Sequence, residues 1–148
     1  MGRRKRFAAV LAPVAAGVSA LALGTGTAGA AMVTDARLVT YTTFAGLPVT
    51  CLVTSRQSFD PARSDEAFAE TSVTGLGGCV TESDATIRVT YLAPGGVPAS
   101  GTVSGGREVS ATWKPVADDF RSRHEVHFGN CDPDRDRCDF DVTLVQPK

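Results

Sequence analysis

The residues best suited to chemistry are five aspartates and two cysteines in one segment near the C-terminus, NCDPDRDRCDFD. Asp132, Asp134 and Asp136 occupy the first, third and fifth positions of an EF-hand-like calcium loop. The sixth position of such a loop needs glycine and is Arg137 here, and the twelfth needs glutamate and is Thr143. The sequence therefore favours a solvated hairpin tip closed by a disulfide, with calcium binding at the three aspartates as the alternative.

The chain has four cysteines, Cys51, Cys79, Cys131 and Cys138. An even number in a small exported protein favours two disulfides over free thiols. We predict the pairs Cys51–Cys79 and Cys131–Cys138, because each pair is local and is separated by turn-forming sequence. The expected stabilisation is about 2.5 kcal/mol for the shorter ring and about 3.6 kcal/mol for the longer one. A zinc site would need C-x2-C or histidine spacings that the sequence lacks.

The other candidates for chemistry are two histidines and one serine. His124 and His127 are three residues apart, so on a strand they point to opposite faces and cannot bind one metal ion together. We expect His124 beside the core and His127 in solvent. Ser104 precedes two glycines as in a trypsin-like nucleophile loop, but Thr102 replaces the glycine needed there and both histidines follow the serine. Without a phosphate loop or cofactor motif, we expect no cofactor and no enzymatic activity.

The N-terminus has the three-part layout of a secretory signal peptide. A basic cluster at residues 3–6 precedes an apolar run at residues 7–23 and a stretch of small residues. We predict that residues 1–30 are removed and that residues 31–148 form one secreted β-domain. The mature chain is then expected to be free, extracellular and without a membrane anchor.

Charge limits the classes of partner. The chain has 15 basic and 16 acidic residues, and four of the basic ones lie in the predicted signal peptide, so the mature chain carries a net charge of −5. Nucleic acid and anionic membranes require a concentrated basic face, so neither is expected as a partner. We expect a monomer that binds an unidentified extracellular protein or small ligand.

The mature sequence alternates apolar and polar residues in short segments that turn-forming residues separate. Ile87 and Val89 alternate with Arg88, which is typical of an antiparallel sheet with one buried face. Asp60 and Pro61 suit the N-cap and first position of a helix of one or two turns. The pattern predicts an all-β fold, a small antiparallel β-sandwich of the immunoglobulin-like kind. The predicted strands are residues 38–44, 49–55, 69–75, 86–92, 101–105, 108–114, 124–129 and 138–145.

The last hairpin poses a problem of register. Regular pairing outward from the 131–138 disulfide would place Phe140 opposite Gly129, with an apolar face beside a polar one. One extra residue at 129–130 aligns Phe128 with Phe140 instead. We therefore predict a β-bulge there, with Gly129 supplying the unusual dihedral angle.

Our leading hypothesis is a non-enzymatic secreted domain that binds a partner through loops on a disulfide-stiffened sandwich. The stretch LAPGGVPASG should project as an unpaired loop, and its candidate binding residues are Leu92, Pro94, Val97 and Pro98. One alternative is a protease inhibitor that inserts a rigid loop into an active site. Another is a calcium-dependent cell-surface hydrolase, in which the aspartates of residues 132–141 would converge with His127.

No motif of a named family is present. The expected architecture alone resembles the small disulfide-bonded immunoglobulin-like proteins that bacteria secrete, some of which carry ligands. None of the binding residues of those proteins can be placed on this sequence. The resemblance therefore implies a fold class and not a function.

Overall fold

The computed structural model describes residues 32–75, 79 and 82–146. The predicted signal peptide lies outside the described residues. No helix in the described part of the chain has the length and apolar character needed to cross a bilayer.

In the described residues, eight strands form two four-stranded antiparallel sheets that pack face to face. The predicted all-β sandwich is confirmed, and so are both predicted disulfides, Cys51–Cys79 and Cys131–Cys138. Each of the eight predicted strands is present, most of them longer than predicted. The strands are β1 (Val33–Thr42), β2 (Pro48–Phe59), β3 (Ala67–Gly75), β4 (Ser83–Ala93), β5 (Val97–Gly105), β6 (Glu108–Trp113), β7 (Asp118–Phe128) and β8 (Asp139–Val145). The strand order is β1-β2-β3-β6 in one sheet and β5-β4-β7-β8 in the other.

The order β8-β7-β4-β5 corresponds to the G-F-C-C′ order of variable-type immunoglobulin domains. In the other sheet β3 follows β2 and β6 follows β3, whereas those domains have the order A-B-E-D. The likeness to immunoglobulin domains is therefore one of architecture.

The core lies between the sheets and follows the predicted alternation. Ile87 and Val89 are buried, while Arg88 between them is exposed. At the end of the sandwich that carries the β4–β5 turn, three aromatic rings lie 6.0–6.3 Å from the ring of Phe120. One of these rings belongs to Trp113, which is half-buried against the core as the sequence predicts.

The Gly/Pro-rich stretch predicted to project as an unpaired loop is instead the β4–β5 hairpin, so that prediction is wrong. Pro94 and Gly95 occupy the central positions of a type II turn, in which Gly95 has φ +85°. The N–H of Gly96 closes the turn with a 3.0 Å hydrogen bond. Regular pairing continues on both sides and places Leu92 opposite Pro98. The sheet tolerates Pro98 because β5 is an edge strand.

The predicted bulge at residues 129–130 is also wrong. Pairing between β7 and β8 is regular and places Val126 opposite Phe140, two residues from the predicted register. The same side chains face the core, because a shift of two residues preserves the face. The cause is that Cys131 leaves the hairpin and forms a bridge to Thr43 in the other sheet. The disulfide therefore closes a wide loop, residues 129–138, and not a strand pair.

A helical turn begins at Asp60 as predicted, but the helix is limited to this one turn. The N–H groups of Arg63 and Ser64 donate to the carbonyl of Asp60, at 3.1 and 3.0 Å. The N–H of Ala62 donates to the Asp60 carboxylate at 3.1 Å. The chain then enters β3 at Ala67, so no longer helix forms.

Candidate binding surface

Four large apolar side chains on β1, β2 and the turn between them are exposed. The exposed fractions are 74% for Leu38, 67% for Phe44, 63% for Leu47 and 38% for Leu52. Leu38 and Leu52 lie directly opposite each other on the outer face of the sheet. Phe44 and Leu47 lie in the turn at one end of that face. We call these four residues the apolar patch.

The β1–β2 turn is short and fixed by its own hydrogen bonds. The N–H of Thr43 donates to the carbonyl of Leu47 at 2.9 Å, and the N–H of Gly46 donates to the carbonyl of Thr43 at 2.8 Å. Gly46 has φ +77°, the left-handed conformation that ends a three-residue hairpin loop. The turn therefore presents Phe44 and Leu47 in one defined backbone conformation.

Backbone hydrogen bonds attach this turn to the disulfide-closed loop of residues 129–138. The N–H of Phe44 donates to the carbonyl of Asn130 at 3.2 Å. The N–H of Asp132 donates to the carbonyl of Thr42 at 2.8 Å. These bonds join the two sheets at one end of the sandwich, so the loop braces the turn.

Side chains strengthen the same junction. The hydroxyl of Tyr41 donates to Asn130 Oδ1 at 2.7 Å, and the ring of Tyr41 lies 4.8 Å from that of Phe128. Burial raises the pKa of Tyr41 above its ordinary value. The phenol therefore remains a neutral donor at physiological pH.

Two of the three predicted calcium ligands have other partners. Asp132 accepts a hydrogen bond from the N–H of Asp134 at 3.1 Å and forms an ion pair with Arg135 at 3.2 Å. Asp136 accepts a hydrogen bond from the N–H of Thr42 at 2.7 Å. Among the described residues, no group of three or more acidic, histidine or cysteine side chains is arranged to hold a metal ion. Calcium binding at these aspartates therefore stays a prediction.

Both disulfides lie at this end of the sandwich. Cys51 belongs to the first part of β2, and Cys79 lies in the connection between the sheets. Cys131 and Cys138 close the loop that braces the turn, with 5.4 Å between their Cα atoms. The covalent crosslinks are therefore concentrated beside the apolar patch.

The predicted binding residues lie at the opposite end, around the β4–β5 turn. Leu92 and Pro98 line a shallow depression of about 450 Å³, together with Asp119, which has the unusual φ of +51°. Pro94 lies in the turn, and Val97 beside it is 58% exposed. The structure thus brings Leu92 and Pro98 together, and a ligand for them stays a prediction.

His127 lies on the outer face of β7, as predicted, and His124 is buried. His127 Nδ1 lies 2.8 Å from a carboxylate oxygen of Asp139. Both line a depression of about 370 Å³ with Asp141, whereas the carboxylates of Asp132, Asp134 and Asp136 are not part of its lining. The cleft expected for a calcium-dependent hydrolase, with all these aspartates around His127, is thus assembled only in part.

Sequence reasoning missed the apolar patch. The alternating segment before Phe44 places this residue at the end of a predicted strand, whereas β1 ends at Thr42. The available signal was the stretch FAGL, in which two large apolar residues flank a glycine between two strand patterns. A glycine there permits a three-residue turn, and side chains on so short a turn cannot reach the core.

Comparison with protein-family models, with curated proteins and with solved structures found no match. Fold and surface define a disulfide-bonded all-β sandwich that presents an exposed apolar turn. Two disulfides in so small a protein are typical of an oxidising, extracellular environment. This construction is compatible with a secreted binding protein.

Proposed function

We propose that this protein is a secreted, non-enzymatic binding protein that contacts an extracellular partner through the apolar patch. The observation that carries the proposal is the concentration of Leu38, Phe44, Leu47 and Leu52 on one exposed surface. Exposed apolar side chains that are grouped on one surface of a monomeric protein mark interaction sites. Here the exposed hydroxyl pair of Thr40 and Thr50 lies between the two leucines of the sheet and the turn.

The bracing of the turn supports the proposal. A binding loop that is already ordered loses less conformational entropy when its partner arrives, so more of the contact energy appears as affinity. Hydrogen bonds from Thr42 and Phe44 to the disulfide-closed loop provide that order. Function also concentrates on loops that a rigid framework holds in position.

The chemistry of the patch indicates the kind of partner. Phe44 is a rigid aromatic anchor at the end of the molecule, and anchors of this kind fill apolar pockets at the centres of protein interfaces. The acidic mature chain favours a partner surface that is neutral or basic around such a pocket. We therefore expect a protein partner with an apolar pocket and no strongly acidic rim.

The test is capture of partners from culture medium with immobilised mature protein, followed by affinity measurement with the purified partner. The double variant Phe44→Ser, Leu47→Ser should bind at least tenfold more weakly, because it removes both apolar side chains of the turn. The variant should still fold, because both side chains are exposed. Val145→Ser is the matched control, because it removes an exposed apolar side chain at the end of β8, outside the apolar patch and outside the β4–β5 turn. Equal affinity of all three proteins would overturn the proposal.

A further inference from the structure

Five polar side chains lie fully buried in the interior between the two sheets. Ser55 and Gln57 belong to β2, Thr71 to β3, and Ser122 and His124 to β7. A buried polar group costs free energy unless it makes a hydrogen bond. The partners of each group can therefore be counted.

Four of these side chains form a hydrogen-bonded chain across the core. Ser122 Oγ donates to Gln57 Oε1 at 2.5 Å, which uses its only proton. Ser122 Oγ must then accept from His124 Nε2 at 2.7 Å. His124 Nδ1 consequently accepts from the hydroxyl of Thr71 at 2.6 Å. Burial lowers the pKa of His124 to about 4, so the ring is neutral and has the single proton that this order requires.

The chain ends at Gln57 in an unused donor. Among the described residues, neither the amide nitrogen of Gln57 nor the hydroxyl of Ser55 has a hydrogen-bond partner. The buried Oδ2 of Asp35 also makes no hydrogen bond, although it lies 3.0 Å from Arg37 Nε in an ion pair. Gln57 Nε2 and Ser55 Oγ are therefore without a partner among the described residues, and Asp35 Oδ2 has only its ion pair.

These three atoms belong to neighbouring positions. Asp35 lies directly opposite Ser55 in the β1–β2 pairing, and opposite residues of antiparallel strands have Cβ atoms about 5 Å apart. Gln57 follows Ser55 by two residues and faces the same side of β2. One corner of the interior thus contains an amide donor, a carboxylate acceptor and a hydroxyl.

We propose that one buried water molecule binds between Asp35 Oδ2, Ser55 Oγ and Gln57 Nε2. The occupant must accept from the amide and donate to the carboxylate, and water does both. Buried waters typically make about three hydrogen bonds, the number that this corner offers. A cation is disfavoured by the Arg37 guanidinium and by the amide N–H groups, and an anion is disfavoured by Asp35.

Through Gln57 and Ser122, the water completes a polar connection from Asp35, whose ion-pair partner Arg37 is exposed, to the buried His124. It also ties the edge strand β1 to the interior of β2 and β7 at a place where apolar packing is interrupted. This role is independent of the proposed function, because it holds whether or not the apolar patch binds a partner.

The test is a high-resolution crystal structure of the mature protein with an NMR measurement of water contacts in solution. We expect an ordered water within about 3 Å of all three atoms, and cross-relaxation between water and the side-chain amide protons of Gln57. An unoccupied corner, or a Gln57 amide that donates to a protein atom instead, would overturn the proposal.

Ser55→Val gives a second test, because its extra methyl group takes the place of the water. The water contact of Gln57 should disappear while the fold is retained. Ser110→Val, an exposed position on the outer face of β6, is the matched control and should leave the contact unchanged. If the contact between water and the Gln57 amide persisted in Ser55→Val, that result would also count against the proposed site. If that variant does not fold, the measurement on the wild-type protein tests the proposed site.

Discussion

Removal of the Cys131–Cys138 disulfide should loosen the β1–β2 turn while the sandwich remains folded. The perturbation is the double substitution of both cysteines by alanine. The two cysteines are separated by seven positions, and a ring of that size stabilises a protein by about 2.5 kcal/mol through the entropy of the unfolded chain. Domains of this kind have a net stability of about 5–15 kcal/mol, so a folded population remains.

Two measurements check this expectation. Urea unfolding should show a midpoint lowered by about 1–2 M, from the stability loss and a typical slope for a small domain. Amide hydrogen exchange should become fast at Phe44 and Asp132, whose N–H groups bond across the junction between turn and loop. Amides in the centre of β4 should lose only the protection that corresponds to the global loss of stability.

The matched control is alanine substitution of Cys51 and Cys79, whose ring spans 28 positions. It should cost more global stability, about 3.6 kcal/mol, yet keep the protection of Phe44 relative to the core. If the Cys131–Cys138 variant kept full protection at Phe44 and Asp132, the loop would not brace the turn. A stability loss well above 5 kcal/mol would refute the entropic estimate.

Four further predictions follow from individual groups. Because burial lowers the pKa of His124 to about 4, the unfolded state takes up a proton before the folded state does as the pH falls from 6.5. The free energy of unfolding should therefore drop by about 3 kcal/mol between pH 6.5 and 4, equally in the wild type and in a His127→Gln control. A free energy of unfolding that stays constant over this range would contradict the prediction. Gly101→Ala should lower the free energy of unfolding by about 1–3 kcal/mol and change the tryptophan fluorescence, because a Cβ there would collide with Trp113 Nε1. Gly106→Ala is the control, because its Cβ would lie 3.9 Å from the nearest atom, and it should lower the stability far less in the same urea titration. A chelator should leave the melting temperature unchanged, because two aspartates of the acidic loop are bonded to backbone amides; a lower value would support calcium binding. Titration against a panel of extracellular proteases should show no inhibition at micromolar concentration, because the short β1–β2 turn offers no extended segment, and tight inhibition would restore the inhibitor hypothesis.

Strand boundaries could be predicted where apolar side chains mark the buried face. The predicted boundaries are wrong where the buried side chains are polar. The prediction ended β2 at Ser55, although the strand continues through Gln57 to Phe59. It began β7 at His124, although Ser122 before it is also buried and inside the strand. Hydrophobic periodicity cannot detect a buried serine or glutamine, because the hydrogen bonds that make its burial tolerable come from another sheet.

The candidate surface was harder to predict than the fold, because it depends on relations between distant segments. Pro98 can pair only because β5 is an edge strand, and strand order is not visible in a local pattern. Phe44 is exposed in a turn that the bridge between Thr43 and Cys131 attaches to the other sheet. The disulfide pairs could be predicted, since each joins nearby segments. The surface that the Cys131–Cys138 disulfide supports could not be predicted from the sequence.

Two aspartates of the acidic loop hold the loop and the turn in place. Asp136 accepts a hydrogen bond from the N–H of Thr42, and Asp132 fixes the backbone of its own loop while its charge is paired with Arg135. The guanidinium of Arg135 in turn lies against Gly46, 3.5 Å from where a Cβ would stand, so loop and turn are in direct contact. Carboxylates bind backbone N–H groups strongly, and a disulfide keeps their geometry constant. An aspartate-rich segment can therefore serve to hold an apolar turn in place.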